Sequence, residues 1–277
     1  MPLITKRRTF GASSPAIHIP AAAGGAWTPA SLGAALRFWV KADTGVTTSS
    51  GEVTAVADQS GNGFNLVSSG AAFEPPSLGT GYNGHATFNF VSLDQEYLTT
   101  NRTTAQAFNL GSQSSWFMAG TMDAGGGSLP SNAHALAYLG ATSLAGSGTA
   151  NYDQADSVGA IIRNTTLSQL CMLNPARAFG AAGTVALDTP MRVLMVFDNT
   201  NATLYVNNTQ IAQSTATFTL GSSGVIALGA AIGGTSGTLT RIGAHWYGKM
   251  AEVLVTNTAL NSTERGQLDA YAAARLA

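Results

Sequence analysis

What most constrains this chain is a period of two that keeps returning along it. In LRFWVKAD, Leu36, Phe38 and Val40 alternate with Arg37, Trp39 and Lys41. In EVTAVAD, Val53, Ala55 and Ala57 stand against Thr54 and Val56. Such alternation marks a strand with one face on a core. HATFNF follows Asn83-Gly84, a pair that favours hairpin turns. SSWFMAGTMDA, ALAYLGA, VGAIIRN, VIALGAA and KMAEVLVTN also read as strands. RVLMVFD and TLYVNN flank the polar stretch 199–202, which predicts a hairpin. Only STERGQLDAYAAARLA reads as a helix. Asn261 is placed to cap it, Glu264 completes a capping box, and Leu268, Tyr271, Ala272 and Leu276 share one side. Roughly ten strands and one terminal helix predict an all-β, two-sheet antiparallel sandwich over residues 31–277, with a short C-terminal helix.

The surface of such a sandwich has an unusual composition. Charged residues are 10% of the 277 and glycines number 32, while the hydrophobic share is 45%. An ordinary chain carries about 25% charged residues. The exposed faces must therefore be mostly Ser, Thr, Asn, Gln and Gly, and a net charge of −1 leaves little repulsion between copies.

Residues 1–30 form a separate, Pro/Ala/Gly-rich segment, expected to be an extended arm. It holds Lys6, Arg7 and Arg8 and no acid, so it carries +3 against −4 for the remainder. These three cations suit docking on an acidic partner or on another copy of the chain. They are too few to support nucleic-acid binding alone. Gly11, Pro15 and Pro20 interrupt what would be the apolar part of a signal peptide, and no run of about 18 apolar residues offers a membrane span. The expectation is a protein made in the cytoplasm without a membrane partner. The single cysteine, Cys171, lies in the apolar run LSQLCML and reads as a small buried hydrophobe.

Local chemistry is sparse. ADQSGNGFNL partly fits a calcium loop through Asp58, Ser60, Asn62 and Gly63, but Ser69 stands where the bidentate Glu belongs. No Lys and helix follow to make it a phosphate cradle. A strand-ending turn is the better reading, with Asp58 and Ser60 accepting from local N–H groups and glycines taking positive φ. Glycosidase chemistry needs two carboxylates about 5–10 Å apart. Asp94 and Glu96 form the one D-x-E, and Asp153 and Asp156 lie in a Gly/Ser/Thr-rich loop suited to solvated or capping acids. His18, His85, His134 and His245 are far apart, which argues against zinc. No G-x-S-x-G elbow is present. No cofactor and no catalysis are expected. Sugar stacking would need exposed aromatic rings, and Trp246, Tyr247 and Tyr152 are the candidate platforms, with packing inside the sandwich as the competing role. Sequons at Asn101, Asn164, Asn201, Asn207 and Asn261 read as chance matches in an Asn/Thr-rich chain.

The order of these segments resembles the laminin-G-like, concanavalin A-like jelly-roll domains. LRFWVKADTGV, VADQSGNGFNL and NGHATFNF with EYL are similar to their opening strands and D-x-S-G-N-G turn. MRVLMVFDNTNATLYVNNTQIA resembles their hairpin ending in Y-V-N-G, with Asn208 in the Gly place. YGKMAEVLVTNTALNSTERGQLDAYAAARLA is similar to their last strand and helix. The resemblance spans about 34–277 and is weak over about 120–185. It implies the jelly-roll fold. The glycanases of that superfamily carry an E-x-D-x-x-E strand that is not found here. Simple versions with a short arm resemble those of bacteriophage virion proteins, which implies a non-enzymatic capsid-decoration or tail-associated protein, located on the virion and touching host glycans. A free carbohydrate-binding module is the alternative, and a glycan hydrolase or lyase a third.

Overall fold

The computed structural model describes residues 26–68, 74–91, 96–100, 108–123, 133–141, 158–163, 169–173, 178–179, 185–215, 224–235 and 238–277. Nineteen strands lie in them. The first seven are β1 (Leu36–Lys41), β2 (Val46–Ser49), β3 (Glu52–Val56), β4 (Leu66–Ser68), β5 (Ser77–Thr80), β6 (Ala86–Phe90) and β7 (Leu98–Thr99). β8 (Gln113–Met122), β9 (Ala133–Ala141), β10 (Val158–Arg163), β11 (Gln169–Leu173) and β12 (Ala178–Phe179) follow. Then come β13 (Met191–Asp198), β14 (Asn201–Val206), β15 (Thr209–Thr215), β16 (Gly224–Leu228), β17 (Ala230–Thr235), β18 (Thr238–His245) and β19 (Gly248–Thr256). One α-helix, α1 (Ser262–Leu276), closes the sequence.

All described pairings are antiparallel and make two layers. The first runs β1–β19–β8–β13–β14–β15. The second runs β2–β3–β4–β7–β16–β9–β10–β11–β12. β6 pairs with the first residues of β19, and β5 joins β6 to β3, so the layers are continuous at one side. β17 and β18 form a separate ribbon. The expected all-β sandwich with a C-terminal helix is the observed architecture.

The main core lies between the layers. Trp116 and Met118 of β8, Val193, Met195 and Phe197 of β13, and Val253 and Val255 of β19 meet Val53, Leu66, Leu98 and Ile226 of the second layer. A second apolar cluster covers the other face of the first layer: Trp39, Phe117, Leu194, Val196 and Leu254 lie under Leu268, Ala272 and Leu276 of α1. This explains why RVLMVFD is apolar without alternation, since a strand covered on both faces has no polar side. The helix begins as expected. Asn261 Oδ1 accepts from the N–H groups of Thr263 and Glu264, and Glu264 accepts from the Asn261 N–H at 2.9 Å.

Two expected strand faces are corrected by bulges. The β1–β19 register shifts between Leu36 and Phe38, so Leu36 joins the helix-side cluster while Phe38 and Val40 face the main core. In β3, Val53 and Val56 are both in the main core, because the β2–β3 register shifts opposite Thr54. The β13–β14 hairpin is also tighter than the expected loop 199–202, since β14 already begins at Asn201. Asn207 and Asn208 join β14 to β15 with φ of 48° and 62°, so both occupy the left-handed region that a two-residue hairpin turn of this hand requires. Asn208 thus fills the expected Gly place because Asn tolerates that region.

Candidate functional site

The stretch 58–64 is a stitched turn. Asp58 Oδ1 accepts the N–H groups of Trp39 at 3.0 Å and Ser60 at 2.9 Å. Its Oδ2 accepts the Phe64 N–H at 3.0 Å and the Ser60 hydroxyl at 2.7 Å. Asn62 Nδ2 donates to the carbonyls of Leu36 and Arg37 at the start of β1. Gly61 and Gly63 have φ of 86° and 77°, where an L side chain is strained. The side chains that resembled cation ligands are thus engaged in holding the loop to β1.

A cluster of polar groups sits where α1 ends over the first layer. Glu252 of β19 is 1% exposed and accepts the Trp39 indole N–H at 2.5 Å. Arg275 of α1 lies 3.1 Å from Glu252 and 2.6 Å from Asp43. His85 Nδ1 is 2.8 Å from the same Asp43 carboxylate. Lys41 lies over the Trp39 ring, and Arg275 over that of Tyr271. Burial raises the Glu252 pKa, and the hydrogen bond from Trp39 with the charges of Arg275 and Lys41 only partly offsets it. Burial acts the same way on Asp43, but hydrogen bonds from Arg275 and His85 outweigh it there, lowering its pKa to about 2. Two carboxylates do meet, then, with an arginine between them.

A third feature is a shallow dent between α1, the start of β13 and the β14–β15 turn. It encloses about 200 Å³, counting space open to solvent, and Arg192, Asn208, Arg265 and Asp269 line it above Leu194 and Leu268. Arg192 and Asp269 form a two-pronged pair at 2.7 and 3.3 Å. The Arg265 guanidinium lies 4.7 Å over the Tyr205 ring and donates from Nη1 to the Leu260 carbonyl at 3.0 Å. Its Nε–H is buried with no hydrogen-bond partner.

The residues singled out in the sequence do not come together. Trp246 is 0% exposed in the main core, so its ring offers no stacking face; its Nε1–H has no partner there. Apolar neighbours from both layers claim that ring, which is the competing packing role. Tyr247 is half-buried, and its carbonyl accepts the Asp123 N–H at 3.1 Å. Tyr152, Lys6, Arg7, Arg8, Asp94, Asp153 and Asp156 lie outside the described residues. Glu96 is buried and accepts the Val91 N–H. The half-buried aromatics that gather instead are Trp27, Tyr82, Tyr205 and Tyr271, all packed against the helix-side cluster. Of these, Tyr271 was visible on the helical face of the sequence; Tyr205 and Trp27 gave no pattern of their own. Among the described residues no group of three or more His, Cys, Asp or Glu could hold a metal ion, and no helix is long and apolar enough to cross a membrane.

These features sit on an all-β sandwich, and comparison with solved structures finds the same fold. The fold matches domain 4 of AbnA, a GH43 extracellular arabinanase from Geobacillus stearothermophilus, solved in complex with arabinotriose. The TM-score is 0.55 at 13% identity, over 84% of this chain and 98% of that domain. It also matches the botulinum neurotoxin serotype D ligand-binding domain in complex with N-acetylneuraminic acid, with a TM-score of 0.53 at 11% identity over 89% of this chain and 52% of that one. The botulinum neurotoxin type G receptor-binding domain gives 0.51 at 13% identity, over 84% and 50%. The chain thus spans about half of each toxin domain and nearly all of the arabinanase domain. At these identities the likeness is one of fold. No family model matches the sequence. No curated protein matches it either.

Proposed function

We propose that this protein is a non-enzymatic carbohydrate-binding β-sandwich. The observation that carries the reading is the whole-domain fold match to the arabinanase domain solved with arabinotriose. It is an argument from fold, and the surface composition supports it: Ser, Thr, Asn and Gln hydrogen-bond sugar hydroxyls without requiring charge. Absence of catalysis is supported by the carboxylates that converge on an arginine among the described residues. Asp43 and Glu252 share Arg275, and Glu252 is nearly sealed from solvent. Neither is free to protonate a leaving group or attack a sugar. Since α1 covers the outer face of the first layer, that face is closed to a long glycan.

The test is a glycan array followed by calorimetry on the hits, run beside a reducing-end assay on the same polysaccharides. Saturable binding without product release is expected. Failure of every glycan would overturn the reading, and turnover would replace it with a hydrolase or lyase.

A second reading adds attachment. The basic, Pro/Ala/Gly-rich arm 1–30 favours a chain carried on a bacteriophage virion, as a capsid-decoration or tail-associated protein, with the arm docked on virion proteins or on other copies. Hydrogen exchange across the arm, with the mass followed by light scattering, tests this. Fast exchange in a monomer, or protection in an oligomer, is expected. Protection in a monomer would count against it.

A further inference from the structure

We propose that Asn83-Gly84, in the turn between β5 and β6, is a spontaneous deamidation site whose conversion unfastens the end of α1. The inference goes beyond the glycan-binding reading and does not depend on it.

The sequence supplies the reactivity. Asn-Gly occurs twice in the chain, at Asn62-Gly63 and Asn83-Gly84. Glycine has no β-carbon, so its backbone nitrogen can close on the side chain of the asparagine before it. That nitrogen attacks the asparagine Cγ and forms a C–N bond. The Cγ–Nδ2 bond breaks, and ammonia leaves with the proton that the backbone nitrogen gave up. Water then adds to either carbonyl of the resulting succinimide and opens it to aspartate or isoaspartate. Only water is consumed, and a neutral amide becomes a carboxylate.

The structure separates the two sites. Both asparagines are exposed, and both glycines sit at φ of 77° with open space where a β-carbon would lie. Their hydrogen bonds differ. Asn62 Nδ2 donates to the Leu36 carbonyl at 3.0 Å, the Arg37 carbonyl at 3.1 Å and the Ser60 hydroxyl at 2.9 Å. Its amide, the leaving group, is thus tied to β1 and to its own turn. Asn83 Nδ2 donates to the Ala274 carbonyl at 3.2 Å. That carbonyl belongs to the last turn of α1, where helices fray. Freeing the Asn83 amide therefore takes a small movement of a helix end, whereas freeing that of Asn62 takes the loosening of a strand.

The same bond gives the reaction a consequence. The last carbonyls of a helix have no partner within it, and Asn83 supplies one to Ala274. Aspartate or isoaspartate has no Nδ2–H to donate, and its carboxylate faces the negative end of the helix instead. Isoaspartate also lengthens the backbone by one carbon, close to His85. His85 contacts Asp43, and Asp43 is a second tie for the helix end, through Arg275.

The test is to age the full chain in mildly alkaline buffer, folded and in urea, and to map aspartate and isoaspartate by mass spectrometry of its peptides. In urea the two sites are expected to convert at similar rates. In the folded chain Asn83 is expected to convert ~10-fold faster than Asn62, as one or two fewer hydrogen bonds hold its amide. Asn83 staying intact when folded, or Asn62 keeping pace with it, would overturn the proposal. Hydrogen exchange over residues 272–276 is then compared between fresh wild type, the aged chain and Asn83→Asp. Faster exchange in the last two, with β8 unchanged, is expected. Unaltered exchange at the helix end in both would show that Asn83 does not fasten it and would overturn the inference.

Discussion

At the scale of the residue, single carboxylates do more here than their scarcity suggests. Asp58 is one of 14 acids in 277 residues, yet it holds three backbone N–H groups and ties a turn to β1. Asp58→Ala strips those donors of their acceptor and is expected to cost about 3 kcal/mol, read by urea denaturation. Arg275 stands between Asp43 and Glu252, so Arg275→Met strands a buried charge. A loss of about 3 kcal/mol is expected, and Glu252→Gln in the same chain should recover part of it, because no buried carboxylate then remains opposite the methionine. Asp43 contributes to the pH dependence. Its folded pKa of about 2 lies below the unfolded value, so its contribution is complete above about pH 4 and is lost as pH falls toward 2. Denaturation curves between pH 4 and 2 should fall more steeply for the wild type than for Asp43→Asn. The Asp58 turn was legible in the sequence because its partners are a few residues away. The Arg275 cluster was not, since it joins positions 39, 43, 85, 252 and 275, which no local pattern connects.

At the scale of the element, alternation located strands well and oriented them less well. Phe38 and Val40 face the core as expected, whereas Leu36 crosses to the helix side through one bulge. A shift of one residue is enough to exchange faces, and a bulge leaves no compositional mark in six residues. The second apolar face of the first layer was implied by RVLMVFD, but only the structure shows that α1 covers it. Short strands such as β4, β7 and β12 escaped notice because two or three residues carry no period. The helix start was fully legible, as capping is a local matter. Asn261→Ala removes the acceptor for two N–H groups and is expected to cost about 1 kcal/mol, seen as an earlier thermal transition. Trp246 illustrates the opposite case. A tryptophan beside a tyrosine in a Gly-flanked loop is compatible with either a platform or a core role, and burial decides for the core. Trp246→Ala should cost about 4 kcal/mol, and any loss of sugar binding should follow from lost folding, which circular dichroism on the same sample separates.

At the scale of the whole molecule, the order of strands in the first layer matters more than any one contact. β19 lies between β1 and β8, so the layer has no continuous centre without residues 248–256. Gly120 of β8 shows how close that fit is, since a β-carbon there would collide with the Lys249 carbonyl. A chain ending at residue 240 is therefore expected to lack cooperative unfolding and to bind a hydrophobic dye, with purified truncated protein as the readout. The same arrangement governs birth on the ribosome. When β1, β8 and β13 to β15 have all emerged, β1 still has no neighbour and β8 still presents a bare edge. That slot stays open until residues 248–256, which follow all of these strands in the sequence, slide into it. The nascent first layer keeps an adhesive rim exposed on β8 until the piece that completes it arrives.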